Sequence, residues 1–401
     1  MATVVTVGFQ STAVTGNAFQ LNDATRGLLD GATYLLGGVV QVDVSAYVLS
    51  VDVSRGRSRQ TTHFTAGVAE LVLDNSTRIF DPLNTASPYY PYITIRTPVT
   101  VEVDGIRIYT GVVTDWDINY SLANQDRLVL RCADALTILA NTAMATWAPT
   151  AQLTGARVTA VLAQPDVAYV GAVNISTGSS TLGAYTIAAD TNVLSYLQSV
   201  ETSEMGYLFV DTNGVLQFVG RSATMNPVSV ASFALADISY QSLTNQFGDE
   251  QLYNNIVATS NAGQSAATSS SSIAQFGTQT LQLDVLNSTT VELGSLANYS
   301  LGLYATPVLR FTQATVLLTA QTAPTKAIAL GLDLTDVVSV TKTFVTGTPL
   351  TVTQTQIVNY ISHSIRPGVH TITYGFESTN GTAFVLDSAT FGLLDTNILG
   401  F

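Results

Sequence analysis

The side chains in this chain best suited to acid–base or metal chemistry are few: His63, His363 and His370, the single cysteine Cys132, and some spaced carboxylates. His363 and His370 lie seven residues apart across Pro367-Gly368, so a hairpin could bring them face to face. A metal would need a third ligand, and neither an HExxH nor a CxxC spacing supplies one. The reading is therefore of ordinary surface or core histidines. Asp115 and Asp117 flank Trp116, and a strand puts both carboxylates on one face. A carboxylate pair beside an aromatic ring is the minimal kit of a sugar hydrolase. A solvated strand face with Trp116 turned to the core accounts for the same pattern and is preferred. Glu201 and Glu204 fall near a helix end and are expected to be solvated. There is no GxSxG elbow, no GxGxxG and no phosphate loop. Cys132 sits mid-strand and reads as a small buried hydrophobe. Arg55-Gly-Arg-Ser-Arg59 is the one dense basic cluster. It is read as an ion-pairing subunit interface through Arg55, Arg57 and Arg59 rather than as a nucleic-acid site. No catalytic residue, cofactor or metal is expected.

The elements that hold these residues are mainly strands. The chain has 401 residues, 46% hydrophobic and only 11% charged, with 56 threonines and just two lysines, Lys326 and Lys342. β-Branched residues at this density favour pleated sheets. One cysteine excludes an intrachain disulfide framework. A formal charge of −13 disfavours strong binding to phosphates. The first basic side chain is Arg26, so no export signal is expected, and polar residues interrupt every long apolar run.

Strict alternation in Val99-Thr-Val-Glu-Val103, the turn Asp104-Gly105 and the return Ile106-Arg-Ile-Tyr-Thr110 predict a hairpin. Further strands are expected over 47–53, 67–73, 112–118 and 127–132. Three prolines between Phe80 and Pro91 exclude a central strand there and predict an ordered loop. Asp134 should cap a short helix. Residues 38–146 thus read as one antiparallel barrel or sandwich. Residues 147–245 read as an α+β unit. Thr154 is expected to cap a helix that runs to Ala163, and Asp190 or Thr191 a helix over 192–203, followed by a hairpin turning at Asn213-Gly214. Small polar residues over 261–275 predict a flexible loop or linker. A helix over 294–305 and strands over 314–318, 337–344, 356–363 and 370–376 complete a second β unit, residues 246–378. The expected fold is mainly β, with two antiparallel barrel-like domains flanking a smaller α+β domain.

One repeat lies outside these units. Phe19-Gln-Leu-Asn-Asp-Ala-Thr-Arg-Gly-Leu-Leu-Asp30 returns as Phe384-Val-Leu-Asp-Ser-Ala-Thr-Phe-Gly-Leu-Leu-Asp395, identical at eight of twelve positions. Residues 1–37 and 379–401 are read as two equivalent docking arms. Phe19, Leu21, Leu28 and Leu29 of the first match Phe384, Leu386, Leu393 and Leu394 of the second. Apolar pairs on terminal extensions call for a partner surface.

Several segments together resemble a family. Tyr47–Arg59, Ala69–Asn75, Arg78–Pro82, Ser87-Pro-Tyr89, Pro98–Val101 and Ile108–Val113 look like the opening domain of tail-hub (baseplate hub or minor tail) proteins of long-tailed bacteriophages. Glu204–Asp211 and Asn213–Phe218 resemble that family's middle domain. Ser272–Gly277, Tyr304–Pro307 and Ile361–Gly368 resemble its last β domain. The terminal arms are similar to segments in minor tail proteins of actinobacteriophages. The resemblance implies a homotrimer whose six barrel-like domains form a ring continuing the tail tube at the virion tail tip, with DNA passing through the lumen. It implies as partners further copies of this chain, distal tail-tube proteins, other tip or central-fibre proteins and the tape-measure protein, with no membrane anchor. A glycan-binding adhesion protein of the tail, using Trp116 or Trp147, is the alternative.

Overall fold

The computed structural model describes residues 2–9, 39–59, 61–123, 125–224 and 228–379. Both copies of the terminal repeat lie outside these residues.

The first β unit contains β1 (Thr3–Phe9), β2 (Val40–Asp43), β3 (Val48–Gly56), β4 (Thr65–Asp74), β5 (Pro98–Val103), β6 (Ile106–Asn119) and β7 (Arg127–Ala133), closed by helix α1 (Ala135–Ala140). Residues 3–9 thus belong to this unit and not to a terminal arm, because β1 pairs with β5 and buries Val5, Val7 and Phe9. Alternation sets its faces. Val51 and Val53, Ala69, Leu71 and Leu73, Val99, Val101 and Val103, and Leu128 and Leu130 all point into one core. Asp104 and Gly105 both take positive φ, 50° and 80°, which is the two-residue hairpin turn expected there. The Pro-rich 75–97 connection is ordered. It drives Phe80 and Tyr89 into the core, where Tyr89 stacks between Phe80 and Phe9 at 5.6 and 4.3 Å. The Asp134 carboxylate caps α1, accepting from the Leu136 and Gly67 amides at 2.9 and 2.6 Å.

The middle unit is α+β: β8 (Ala143–Met144), β9 (Gln152–Leu153), α2 (Thr154–Leu162), β10 (Val173–Ile175), β11 (Thr181–Leu182), β12 (Thr191–Asn192), α3 (Val193–Glu204), β13 (Tyr207–Val210) and β14 (Leu216–Val219). Val158, Val161, Leu197, Val200, Leu208 and Phe218 form its own core. Thr154 is the first residue of α2 rather than its cap. Its hydroxyl donates to Glu204 at 2.8 Å. The cap of α3 is Asn192, not Asp190 or Thr191, accepting from the Ser195 amide. The 211–214 turn also differs from expectation. Gly214 has φ 82° while Asn213 is not left-handed, and the Asp211 carboxylate instead accepts from the amides of Asn213 and Val215.

Strands β15 (Ala231–Phe233) and β16 (Ser242–Gln246) follow. A third small body comprises β17 (Asn255–Ser260), β18 (Gly263–Thr268), helix α4 (Ser270–Phe276), β19 (Thr280–Asp284) and α5 (Thr290–Tyr304), with Ile256, Ala258, Leu293 and Leu296 at its centre. The stretch that composition reads as a flexible linker is therefore a strand and a helix. The strand pairs with β17 along its length, and Asn254 ties α4 down through Ser272 and the Gly277 carbonyl. The chain ends in β20 (Arg310–Leu317), α6 (Ala323–Gly331), β21 (Val337–Thr343), β22 (Thr351–Arg366) and β23 (Val369–Ser378).

The two β units share one thirteen-stranded sheet. Its main path is β16-β20-β23-β22-β3-β4-β7-β6-β5-β1-β2, with β21 beside β22 and β15 beside β21. One hydrophobic core runs beneath both. The fold is mainly β with a smaller α+β part.

Candidate assembly surfaces

The arginine cluster lies where the units meet. β3 pairs antiparallel with β22 from Gly56 opposite Tyr360 to Val51 opposite Ile365. Gly56 has φ 122°, and a Cβ there would sit 2.3 Å from the Asn359 carbonyl, so only glycine lets the strands approach this closely. Arg55 is buried and ion-paired with Asp333 of the second β unit. The other Asp333 oxygen accepts from the Thr212 amide at 3.0 Å, so one carboxylate joins both β units to the middle hairpin. Arg57 is buried against Glu377. Its Nη2 lies 2.6 and 2.8 Å from the two carboxylate oxygens, and its guanidinium lies over Phe64 and Tyr207. Burial and the adjoining carboxylate act in opposite directions on this arginine, and the pairing holds it charged. Arg59 is about half exposed, 3.3 Å from Glu250. The structure thus places Arg55 and Arg57 in pairs within the chain and leaves Arg59 at the surface.

The histidines of β22 and β23 do face each other. His363 Nδ1 lies 3.1 Å from His370 Nε2, and both rings are buried. Burial, the neighbouring ring and Arg55 push His363 well below the usual imidazole range, and burial pushes His370 down to about 4. Both are therefore neutral at pH 7. The third histidine, His63, is 2.9 Å from Glu201 at the seam between the first β unit and α3. Glu201 and Glu204 are buried, not solvated. Glu204 accepts from Thr154 and from the amides of Ser179 and Ser180, a network whose partners lie far apart in sequence. Among the described residues no group of three or more His, Cys, Asp or Glu could hold a metal. No described helix is long and apolar enough to cross a membrane.

Asp115 and Asp117 share the exposed face of β6, with Asp117 bonded to Arg131 at 2.9 Å. Trp116 turns the other way, packs near Phe9 and donates its indole N–H to the Thr94 carbonyl. Trp147 is half-buried against the middle core, with Arg157 over its ring. Neither tryptophan stands free as a stacking platform. Cys132 is buried, and burial pushes its thiol up.

Large apolar side chains reach solvent on the loops of the β units, Leu83, Ile95 and Leu122 on the first and Val345 and Leu350 on the second, and also elsewhere, as at Val170, Leu235 and Val291.

No protein-family model and no curated protein sequence matches this chain. Solved structures do. The tail protein from Neisseria meningitidis MC58 superposes with a TM-score of 0.57 at 12% identity, covering 85% of this chain and 94% of that one. The 43 kDa tail protein of prophage MuSo2 from Shewanella oneidensis gives 0.55 at 14%, covering 86% and 96%. A component of the Escherichia coli type VI secretion system, described as structurally similar to the T4 bacteriophage tail proteins gp27 and gp5, gives 0.50 at 10%, covering 83% and 73%. The fold is thus one shared by tail proteins and a component of the type VI secretion system.

Proposed function

We propose that this chain is a structural component of a bacteriophage tail, a homotrimeric hub ring at the tail tip that continues the tube and joins it to distal tip or fibre proteins. The observation that carries the reading is the joining of two β units into one continuous sheet, in a fold shared with phage tail proteins over most of their length. Three chains would supply six such units. The net charge of −13 supports passage of DNA through the lumen, because phosphates meet repulsion instead of counterion-releasing contacts. Tail-tube, tape-measure and fibre proteins are the partners this position offers. The ring is not an enzyme and uses no cofactor.

The terminal repeats act as docking arms on neighbouring subunits or tail proteins. Burying each large apolar side chain contributes roughly 1.5–3 kcal/mol, enough for three or four together to outweigh the ordering of a short arm. Mass photometry of the purified chain tests the ring, with three-chain particles expected. Strictly single chains, both in solution and within tails, would contradict it. Changing Leu28, Leu29, Leu393 and Leu394 to Ser should leave the β units folded and reduce incorporation into tails. Normal incorporation and infectivity would remove the arms from the account.

A further inference from the structure

The two β units are copies of one design. In the first, the strand order is β3-β4-β7-β6-β5; in the second it is β16-β20-β23-β22-β21. The correspondence reaches individual bonds. Before β5, Arg96 takes φ 64°, its amide donates to the Val113 carbonyl, and the Val113 amide donates to Thr97, both at 2.8 Å. Before β21, Thr335 takes φ 71°, its amide donates to Val358, and the Val358 amide donates to Asp336, again both at 2.8 Å. A bulge follows Val113 in β6 and Val358 in β22. Two non-glycine residues held left-handed at matching points are not produced by shared alternation alone.

The repeat leaves one feature unmatched. In the second unit the far half of β22 runs past the end of β21 and pairs there with β3. Its counterpart, the far half of β6 from Asp115 to Asn119, pairs with β7 on one side and with no described strand on the other. The counterpart of β3 is β16, which pairs only with β20. Each free edge is thus the copy of one side of a junction already made within the chain.

We infer that the far half of β6 of one copy pairs antiparallel with β16 of the next, repeating the β22–β3 junction between chains. This rests on the ring reading and names the strands that close it. The faces agree. Within the chain, His363 and Ile365 of β22 lie opposite Val53 and Val51 on the core side, while Ser362 and Ser364 lie opposite Ser54 and Asp52 on the other. Carried over strand by strand, that register sets Asn119 opposite Thr244 and Asp117 opposite Asn245, all four exposed on one face. The Ser364 hydroxyl donates to Asp52 at 2.9 Å in the existing junction. The new one offers an amide–hydroxyl pair, Asn119 with Thr244, and a carboxylate–amide pair, Asp117 with Asn245, at the matching positions. Neither edge carries lysine or proline, the residues that usually guard an open strand. The Asp-Trp-Asp run then serves as a seam.

Paired cysteines in the full chain test this, since Cys132 is buried and leaves the background quiet. Asp117→Cys combined with Asn245→Cys, and separately Asn119→Cys combined with Thr244→Cys, should give disulfide-linked oligomers on mild oxidation. Their band should shift from one chain to three and return on reduction. Single-cysteine variants should stay at one chain, as should Asp117→Cys combined with Gln41→Cys on the opposite edge strand β2. Three-chain particles that form no bond at either β6–β16 pair, or bond equally through β2, would overturn this seam and leave the ring standing. Single chains under all conditions, tails included, would overturn both.

Discussion

The two β units solve the same topological problem with different fillings. In the first, the connection between the strands β4 and β5 is an irregular Pro-rich segment that pushes Phe80 and Tyr89 into the core beside Phe9. In the second, the matching connection between β20 and β21 contains helix α6, which buries Ala329 and Leu330, while Phe233, Tyr374 and Phe376 make edge-to-face contacts. The first unit fills its strands β6 and β7 with Trp116, Ile118, Leu128 and Leu130; the second places His363 and His370 on the corresponding pair of strands. What persists between the copies is backbone: strand order, bulges and two left-handed turns. Side chains need only keep their period of two and their volume.

That contrast can be broken most severely where the copies meet. Arg57→Ala would leave Glu377 buried without its partner. It should cost about 3–5 kcal/mol, read as a lower midpoint in denaturant. A loss under 1 kcal/mol would mean the units do not depend on this pair.

Next in size is a difference in acid response. His363 and His370 are held below their unfolded pKa, so the unfolded chain binds more protons as pH falls from about 6.5 towards 4. Their stabilising contribution is complete above that window and is lost on acidification, at up to about 1.4 kcal/mol per pH unit for each proton. Burial raises Asp134 to about 6, which acts in the opposite sense, its contribution falling as pH rises through the same range. Comparing wild type with His363→Phe/His370→Leu isolates the histidines. The variant should show a flatter acid limb by thermal unfolding, and parallel curves would contradict the account.

The smallest effects belong to the exposed pairs. Arg366→Ala, removing a half-exposed partner of Asp52, and Asp117→Asn, removing that of Arg131, should each change stability by about 0–1 kcal/mol. Neither Asp117→Asn nor its combination with Asp115→Asn should abolish any hydrolysis of cell wall. Turnover by the wild-type chain that the double variant lacks would restore the hydrolase reading.

Local features were partly legible in the sequence. Alternation placed β3 to β7 and β20 to β23 but not β1, β2, β15 or β16, Asp104-Gly105 declared its turn, and Asp134 declared its cap. Features settled by distant partners were not legible. Thr154 gives its hydroxyl to Glu204, fifty residues on, and so is not a cap. Small polar residues over 261–275 look unfit for structure, yet a strand needs only backbone partners, and β17 supplies them. Arg55 and Arg57 look like surface charge until Asp333 and Glu377 arrive from the other end of the chain. The likeness of the two β units lies in hydrogen bonds and φ angles, which a sequence does not display. The repeat that is visible in the sequence falls instead on the terminal arms.

A three-dimensional reconstruction of the tail tip tests the central claim most directly. The account predicts three copies in a closed ring, six β units around the lumen, and a sheet that passes from β6 of each chain to β16 of the next. A single copy at the tip, or copies whose β units do not surround a channel, would contradict it.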